Sequence, residues 1–294
     1  MDKEKELEIM RHSLSHVMAA AVRQLWPKVK FAIGPAIENG FYYDFDFGQE
    51  KVSEEDLAKI EKKMEEIIKK DLKFERSEMK IDEAIAKEKK SGQIYKQELV
   101  KDFKSEGEKK VSYYKLEDFI DLCRGPHLVS SGKLKNSGFK LTKLAGAYWR
   151  GDEKRPMLTR IYAAAFASKK ELEDYLKMMA EAEKRDHRKI GKELDLFSMH
   201  EEAPGMPFWH DKGNIIFNTL AERWRKIQRN HGYAELKLPH ILDVGLWKQS
   251  GHYEHYKDSM FFTSNEGRKM ALRPMDCPGA ILVYKEDLRS YRSE

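Results

Sequence analysis

The segment 40–47, GFYYDFDF, restricts the fold more than any other part of the sequence. Its side chains alternate with period two, which predicts a strand with Phe41, Tyr43, Phe45 and Phe47 on one face. Tyr42 and two aspartates fall on the other face. A strand with one strongly aromatic face has to cover that face with another element, because large exposed aromatic surface is costly in water.

Helical patterns surround this strand. Residues 4–26 carry apolar side chains at a spacing of 3.6 residues, and Pro27 is expected to end that helix. Ser53 and Asp56 have the spacing of a capping box, which predicts the start of a second helix. Shorter helices are expected around 82–90 and 96–104, followed by a β-rich stretch from about 111 to 166. The mixture predicts an α+β fold.

The rest of the chain is predicted to form a charged helix followed by a second domain. Ser168 and Glu171 predict the start of a highly charged helix that continues to about residue 190, and a second domain begins near Glu193. This second domain is expected to contain a long helix around 213–230, an extended segment ELKLPHIL, and a final helix from Gly279 into the terminus. That helix lacks a Gly or Asn cap, and Arg289 and Arg292 lie in its last turn, so it is interpreted as interrupted.

Composition excludes several classes of protein. The chain is 40% hydrophobic and 36% charged, without a run of 18 apolar residues or an apolar signal region at its N-terminus. Its two cysteines are far apart, which makes a disulfide framework unexpected. The net charge of +5 permits contact with nucleic acid without indicating it, since Lys and Glu are interleaved. These features predict a cytoplasmic protein with no membrane partner.

Two residue pairs have the composition of a chemical site. His12 and His16 are one helical turn apart, on the face opposite the apolar stripe. Cys123 and His127 are also four residues apart, with a Gly-Pro pair between them that favours a turn over a helix. Three imidazoles and a thiol suit zinc or catalysis. Spacing alone leaves coincidence, a metal site and a catalytic site all open.

These motifs resemble a known family. HxxxH followed by a distant CxxxH is similar to the editing domain shared by threonyl- and alanyl-tRNA synthetases, and the words GFYYDFDF, DLCRGPHL, AGAYWRGD and RDHRKIGKELDLFSMHEEAPGMPFWH resemble the threonyl branch. The resemblance covers essentially the whole chain. It implies a two-part editing domain of helices and antiparallel sheet at 1–166 and a charged linker helix at 167–192. The beginning of a class II antiparallel-sheet catalytic domain would follow at 193–294.

For the first domain, the resemblance implies hydrolysis of mischarged seryl-tRNA(Thr). Serine lacks only one methyl group of threonine, and a missing methyl is worth about 1–3 kcal/mol of discrimination, so correction after charging is needed. The threonyl pattern implies editing without a metal, although the four side chains could ligate zinc. The general base is left unassigned. The residues that match the family's editing pocket are His12, His16, Lys96, Asp121, Cys123 and His127.

For the second domain, the resemblance implies threonine–tRNA ligase chemistry, in which threonine, ATP with Mg²⁺, and tRNA(Thr) are substrates and one Zn²⁺ is bound per full-length subunit. Pro239 matches motif 1 and implies a homodimer interface, and Cys277 matches the first zinc ligand. Ala280 stands where the family usually has histidine.

The family's remaining parts define the alternatives. The ubiquitin-like domain, motifs 2 and 3, the other zinc ligands and the anticodon-binding domain find no match, so the chain is expected to be truncated and to edit without aminoacylating. A freestanding trans-editing seryl-tRNA(Thr) deacylase and a non-catalytic tRNA-binding relative stay open as alternatives.

Overall fold

The computed structural model describes residues 3–288 and residue 290, which divide into two compact units at 1–186 and 187–294. The α-helices are α1 Lys3–Leu25, α2 Glu54–Lys69, α3 Ile81–Lys90, α4 Ile94–Ser105, α5 Lys169–Lys184, α6 His187–Glu193, α7 Asp211–Asn230, α8 Val244–Gln249, α9 His252–Tyr256 and α10 Cys277–Tyr284. The strands are β1 Lys30–Phe31, β2 Ala36–Ile37, β3 Gly40–Asp46, β4 Glu75–Lys80, β5 Lys110–Leu116, β6 Phe119–Leu122, β7 Gly138–Tyr148, β8 Met157–Phe166, β9 Phe197–Met199, β10 Pro207–Trp209, β11 Ile241–Asp243, β12 Phe262–Asn265 and β13 Arg268–Leu272. Every pairing is antiparallel, and the α+β prediction is confirmed.

The larger sheet of the first unit has the strand order β1-β3-β8-β7, with β2 also paired to β3. The aromatic face of β3 is in the core as predicted, since Phe41, Tyr43 and Phe45 are fully buried. Helices α1 and α2 contribute the other side of this core. The period-two pattern of the sequence therefore identified the inner face of the strand correctly.

Helix α1 is covered on more than its apolar stripe. All side chains from residue 13 to residue 22 are buried, including Ser13, Ser15 and His16. The face opposite the stripe, where the histidines lie, is therefore also inside the unit. A helix enclosed on both sides presents its polar side chains to protein groups instead of to water, so they need hydrogen-bond partners there.

A second, three-stranded sheet of the first unit has the order β4-β5-β6. Helices α3 and α4 cover it with a small core that includes Ala84, Val100 and Tyr113. Strand β6 carries Asp121, and the chain leaves the sheet immediately afterwards at Cys123. This sheet brings the second half of the predicted site next to α1.

Helix boundaries follow the caps in the sequence. The carboxylate of Asp56 accepts the backbone N–H of Ser53 at 3.0 Å, which completes one half of the predicted capping box of α2. Ser168 Oγ accepts the backbone N–H of Glu171 at the start of α5. The prediction of one helix to about residue 190 was wrong, because the chain breaks at Arg185 and continues as α6. The side chain of Leu172 near the start of α5 is buried, whereas most of the helix is exposed.

The second unit contains α7, the β9–β10 hairpin and a sheet of order β11-β13-β12. The long helix predicted around 213–230 is present as α7. Of the extended segment ELKLPHIL at 235–242, only Ile241 and Leu242 belong to a strand, β11; Pro239 lies before it and has no N–H to donate to a ladder. The carbonyls of Leu238 and Pro239 accept instead from Arg273 Nη1, at 3.2 and 3.4 Å.

The predicted final helix was also wrong in extent. Helix α10 begins at Cys277 and ends at Tyr284, and residues 285–288 form a turn and irregular chain. Arg289 and Arg292 lie outside the described residues. Among the helices within the described part of the chain, none combines the length and apolarity that crossing a membrane requires.

Candidate functional site

The four predicted side chains meet in one place. We call His12, His16, Cys123 and His127 the histidine–cysteine cluster; one ligand atom from each lies within 4.8 Å of the others. Cys123 Sγ is 3.1 Å from His12 Nε2 and 3.4 Å from His127 Nε2. The ring of His127 packs edge-on against both other imidazoles, at centroid distances of 4.4 and 4.2 Å. Helix α1 and the loop after β6 therefore build one site from distant parts of the sequence.

The loop at 123–127 is irregular, as the Gly-Pro pair predicted, and is tied to β5 at its start. The Cys123 N–H donates to Ser112 O at 3.1 Å, and Ser112 Oγ donates back to Cys123 O at 2.6 Å. Gly125 then adopts a φ of +70°, and its N–H donates to Cys123 Sγ at 3.2 Å. A side chain at residue 125 would collide with Tyr114, whose Oη is 2.3 Å from the position of a Cβ. Glycine is needed here for both reasons.

Ser13 connects α1 to the other end of this loop. Its hydroxyl accepts the Leu128 N–H at 2.9 Å and lies 3.3 Å from His127 Nδ1. The side chain is fully buried. Because a neutral imidazole carries its proton on one nitrogen only, a partner fixed at Nδ1 determines what Nε2 offers to Cys123. Phe74 stacks on the outer face of the His127 ring at 5.0 Å and keeps it in this orientation.

Asp121 lies at the centre of a buried polar network beside the histidine–cysteine cluster. Lys96 Nζ is 2.6 Å from one carboxylate oxygen, and both side chains are almost fully buried. The hydroxyl of Tyr43 donates to the other oxygen at 2.6 Å, and His16 Nε2 is 3.7 Å from that same oxygen. A buried carboxylate with a cation and a hydroxyl donor has the partners that make its burial tolerable.

Burial sets the protonation of the cluster. It lowers the pKa of His12, against the opposing effect of the Asp121 carboxylate. The pKa of His16 is lowered further by burial and by the neighbouring His12 and Lys96, and burial likewise lowers that of His127. Burial raises the pKa of the Cys123 thiol to about 11. At pH 7 the cluster therefore consists of three neutral imidazoles and a protonated thiol.

A cavity of about 580 Å³ opens beside these groups. Its wall includes His12, His16, Lys96, Asp121 and Cys123, whereas His127 contacts the thiol at 3.4 Å and does not line the cavity. Apolar side chains such as Ile33 and Leu99 contribute part of the wall. Size, shape and the few convergent polar groups are those of a small-molecule pocket.

The histidine–cysteine cluster also has the donors of a metal site. Three imidazole nitrogens and one thiol sulfur form a tetrahedral zinc ligand set by composition. The separations of 3.1 and 3.4 Å around Cys123 Sγ are close to the roughly 3.5 Å between ligands of a four-coordinate zinc ion. Binding would require the thiol to lose its proton, since the thiolate is the ligand form. The residues present fit such an ion.

Cys277 has no comparable surroundings. It is exposed at the start of α10 and belongs to no group of three or more metal-ligating side chains within the described residues. These residues alone do not make the predicted zinc site. Both cysteines are free, as expected from the sequence. The predicted role of Pro239 at a dimer interface stays a prediction.

Several contributors to the site were not identified from the sequence. Tyr43 was assigned to the core because it lies on the inner face of β3, and its hydrogen bond to Asp121 is invisible to periodicity. Ser13 directly follows His12, which was the only local signal for its role. Tyr114 and Phe74 pack around His127 through contacts across two strands and a loop, and no short-range pattern encodes these.

Comparison with known proteins agrees with this geometry. Residues 111–162, which include the CxxxH loop, match the family described as the threonyl and alanyl tRNA synthetase second additional domain. A threonine–tRNA ligase of Carboxydothermus hydrogenoformans is 54% identical over 97% of this chain and 44% of the relative. That of Clostridium kluyveri is 51% identical over 99% of this chain and 45% of the relative.

Solved structures match as well. Among them is the RNA binding domain of threonyl-tRNA synthetase from Cryptosporidium parvum Iowa II, with 38% identity, 37% of this chain and 27% of that chain covered, and a TM-score of 0.36.

The match at residues 111–162 makes the part of the first unit around the CxxxH loop similar to one class of domain, the second additional domains of threonyl and alanyl tRNA synthetases. Identity of about one half along nearly its whole length shows more: the chain belongs to the threonyl-tRNA synthetase family. It spans less than half of the length of the curated relatives it matches.

Proposed function

We propose that the histidine–cysteine cluster hydrolyses the ester of mischarged seryl-tRNA(Thr), as the editing part of a threonine–tRNA ligase. The observation that carries this proposal is that three imidazoles and a thiol from two distant segments converge beside one cavity. The family model that matches the surrounding residues and the naming of the relatives as threonine–tRNA ligases support the same substrate.

The protonation of the cluster favours attack by water. A neutral imidazole can accept a proton from water at pH 7, and His12 and His16 both line the cavity. The thiol of Cys123 is a poor nucleophile here, because with a pKa of about 11 it is almost entirely protonated. We therefore assign Cys123 to hydrogen bonding and orientation, and leave the general base between His12 and His16.

Lys96 places a positive charge on the inner wall of the pocket. Its ammonium is held by Asp121 at 2.6 Å and lines the cavity. A fixed cation stabilises the negative charge that develops on the ester oxygen in the transition state. Asp121, in turn, keeps Lys96 and His16 in place and is itself oriented by Tyr43.

The curated relatives, of whose length this chain spans less than half, suggest a wider activity for the whole protein. We propose that it charges tRNA(Thr) with threonine in the cytoplasm, with ATP, Mg²⁺ and a zinc ion to which Cys277 contributes, as a homodimer with Pro239 in its interface. Editing complements this reaction, because a zinc site that recognises the threonine hydroxyl also accepts serine.

The test is deacylation by the purified chain. It should hydrolyse seryl-tRNA(Thr) and leave threonyl-tRNA(Thr) largely intact. His16→Ala should slow hydrolysis by about 10²–10⁴-fold, and Cys123→Ala, which removes an orienting hydrogen-bonding group, should slow it as well. Cys277→Ala is the matched control and should keep the wild-type rate. Equal rates on both substrates would remove the editing assignment. Treatment with EDTA should leave the rate unchanged, and loss of activity with recovery on Zn²⁺ would show that the cluster works through a metal.

A further inference from the structure

The cavity is larger than the acyl group that the proposed function places in it. A seryl group has six non-hydrogen atoms and needs only about 200 Å³ at roughly 30 Å³ for each water-sized group. The cavity holds about 580 Å³, so more than half of it lies beyond the ester. The wall of this outer part differs from the inner wall, since it carries charged side chains from β4, from the start of β5 and from the loop after β6.

Three cations surround this outer part. Arg76, Lys110 and Arg124 all line the cavity, together with two acidic residues, Glu78 and Glu108. We propose that these three basic side chains, which we call the basic mouth, bind phosphate groups at the 3′ end of the acylated RNA and so position the ester at the histidine–cysteine cluster. This inference rests on the proposed function and adds residues that engage the RNA instead of its acyl group.

The three basic side chains of the basic mouth form only weak, exposed ion pairs with neighbouring glutamates. Glu78 lies 2.9 Å from Arg76 and 3.7 Å from Lys110, and Glu108 lies 3.8 Å from Arg124. The three basic side chains are between 52% and 67% exposed, so these ion pairs are worth only about 0–1 kcal/mol each. A phosphate can therefore replace a carboxylate at little cost. The inner pair of Lys96 and Asp121 is buried, and its exchange for a phosphate would be far less favourable.

The position of one of these cations is reinforced by an aromatic ring. The guanidinium of Arg124 lies over Phe103 at 4.5 Å from the ring centroid, and Phe103 also lines the cavity. A cation–π contact holds an exposed arginine near one orientation while leaving its N–H groups available. Arg124 also follows Cys123 directly in the loop after β6, so the same loop contributes to both the histidine–cysteine cluster and the basic mouth.

The experiment compares two substrates that carry the same ester. One is seryl-tRNA(Thr), and the other is 2′(3′)-O-seryl-adenosine, which has no phosphate. Substitution of all three mouth residues by glutamine should lower kcat/KM on seryl-tRNA(Thr) about 10- to 100-fold. The loss on the phosphate-free ester should be at least about tenfold smaller. Lys115→Gln is the matched control, since Lys115 is an exposed lysine of the same strand β5 that does not line the cavity.

Salt dependence provides the second measurement. Each lost phosphate contact should reduce the slope of log kcat/KM against log salt concentration by about 0.7 on seryl-tRNA(Thr). Equal losses on both substrates, or an unchanged slope, would overturn the role of the basic mouth and leave the editing proposal intact. A wild-type chain that hydrolyses neither ester would refute the proposed function and this inference with it.

Discussion

At the scale of single residues, the site depends on which nitrogen or sulfur of each side chain carries a proton. His12, His16 and Cys123 each have a chemical role in the proposed hydrolysis, and burial of each side chain shifts its pKa and so sets its protonation. Ser13 and Tyr43 have neither charge nor reactivity of their own, yet they fix His127 and Asp121 through single hydrogen bonds. Side chains of this second kind act only by holding other side chains in position. Substituting them therefore tests whether the orientation of His127 and Asp121 affects the reaction.

Ser13→Ala should disturb both stability and chemistry. Without its hydroxyl, the buried Leu128 N–H has no acceptor, which costs about 1–3 kcal/mol of the free energy of unfolding. The freed Nδ1 of His127 should let the imidazole populate its other tautomer, and kcat for seryl-tRNA(Thr) should fall about tenfold or more. Urea unfolding and ¹⁵N chemical shifts of His127 would measure the two effects.

The control for this change is Ser105→Ala, an exposed serine whose hydroxyl donates only to Asp102 O at 2.7 Å. It should leave stability within about 0.5 kcal/mol of wild type. An unaltered His127 tautomer in Ser13→Ala would show that the hydroxyl has no positioning role.

At the scale of elements, the loop after β6 completes the site, because it places Cys123 and His127 beside the two histidines of helix α1. Cys123 is pinned to β5, Gly125 turns the chain with positive φ, and Leu128 is bound to α1. The loop has little secondary structure of its own, so its conformation depends on these few attachments. The sequence indicated a turn here from the Gly-Pro pair but not where its two ends are fixed.

Gly125→Ala should therefore be destabilising. The added Cβ meets Tyr114 Oη at 2.3 Å, and the left-handed φ of +70° is unfavourable for alanine. We expect a loss of about 2–4 kcal/mol in the free energy of unfolding, together with slower hydrolysis as Cys123 moves from His12. Gly92→Ala is the matched control: it has a φ of +71° and nothing within 4 Å of its Cβ position, so only about 1 kcal/mol should be lost. Equal losses in the two variants would contradict the steric argument.

At the scale of the whole molecule, enclosing three imidazoles in the first unit couples its stability to pH. Burial lowers the pKa of His12, His16 and His127 in the folded protein, whereas in the unfolded chain each titrates near 6.5. The unfolded chain thus binds more protons as the pH falls. The contribution to stability is fully present above about pH 7 and is lost as the pH decreases through 6.5.

The free energy of unfolding should depend steeply on pH. Three histidines that protonate only on unfolding would lower the free energy of unfolding by as much as about 4 kcal/mol per pH unit below pH 6. Urea denaturation of EDTA-treated protein between pH 7.5 and about 5 measures it. His16→Gln should reduce the slope by roughly one proton, or about 1.4 kcal/mol per pH unit. A slope equal to that of wild type would mean that His16 is protonated in the folded state.

The sequence by itself determined the elements and the composition of the site. Period-two alternation identified the buried face of β3, and caps at Ser53 and Ser168 identified helix starts. These signals are local, because spacing along a helix or strand fixes which side chains share a face. The HxxxH and CxxxH pairs identified the histidine–cysteine cluster only through their family resemblance, since their spacing alone left coincidence open.

The tertiary structure decided what local spacing cannot express. Ser13 and Tyr43 contribute to the site because the fold brings them within hydrogen-bond distance of residues 114 and 78 positions away in the sequence. The residues of the basic mouth likewise share a function only because separate segments line the same cavity. The extended segment ELKLPHIL enters a strand only at its last two residues, because whether a segment forms a strand depends on an available partner elsewhere in the chain. Protonation, too, follows from burial, and burial is a property of the assembled fold.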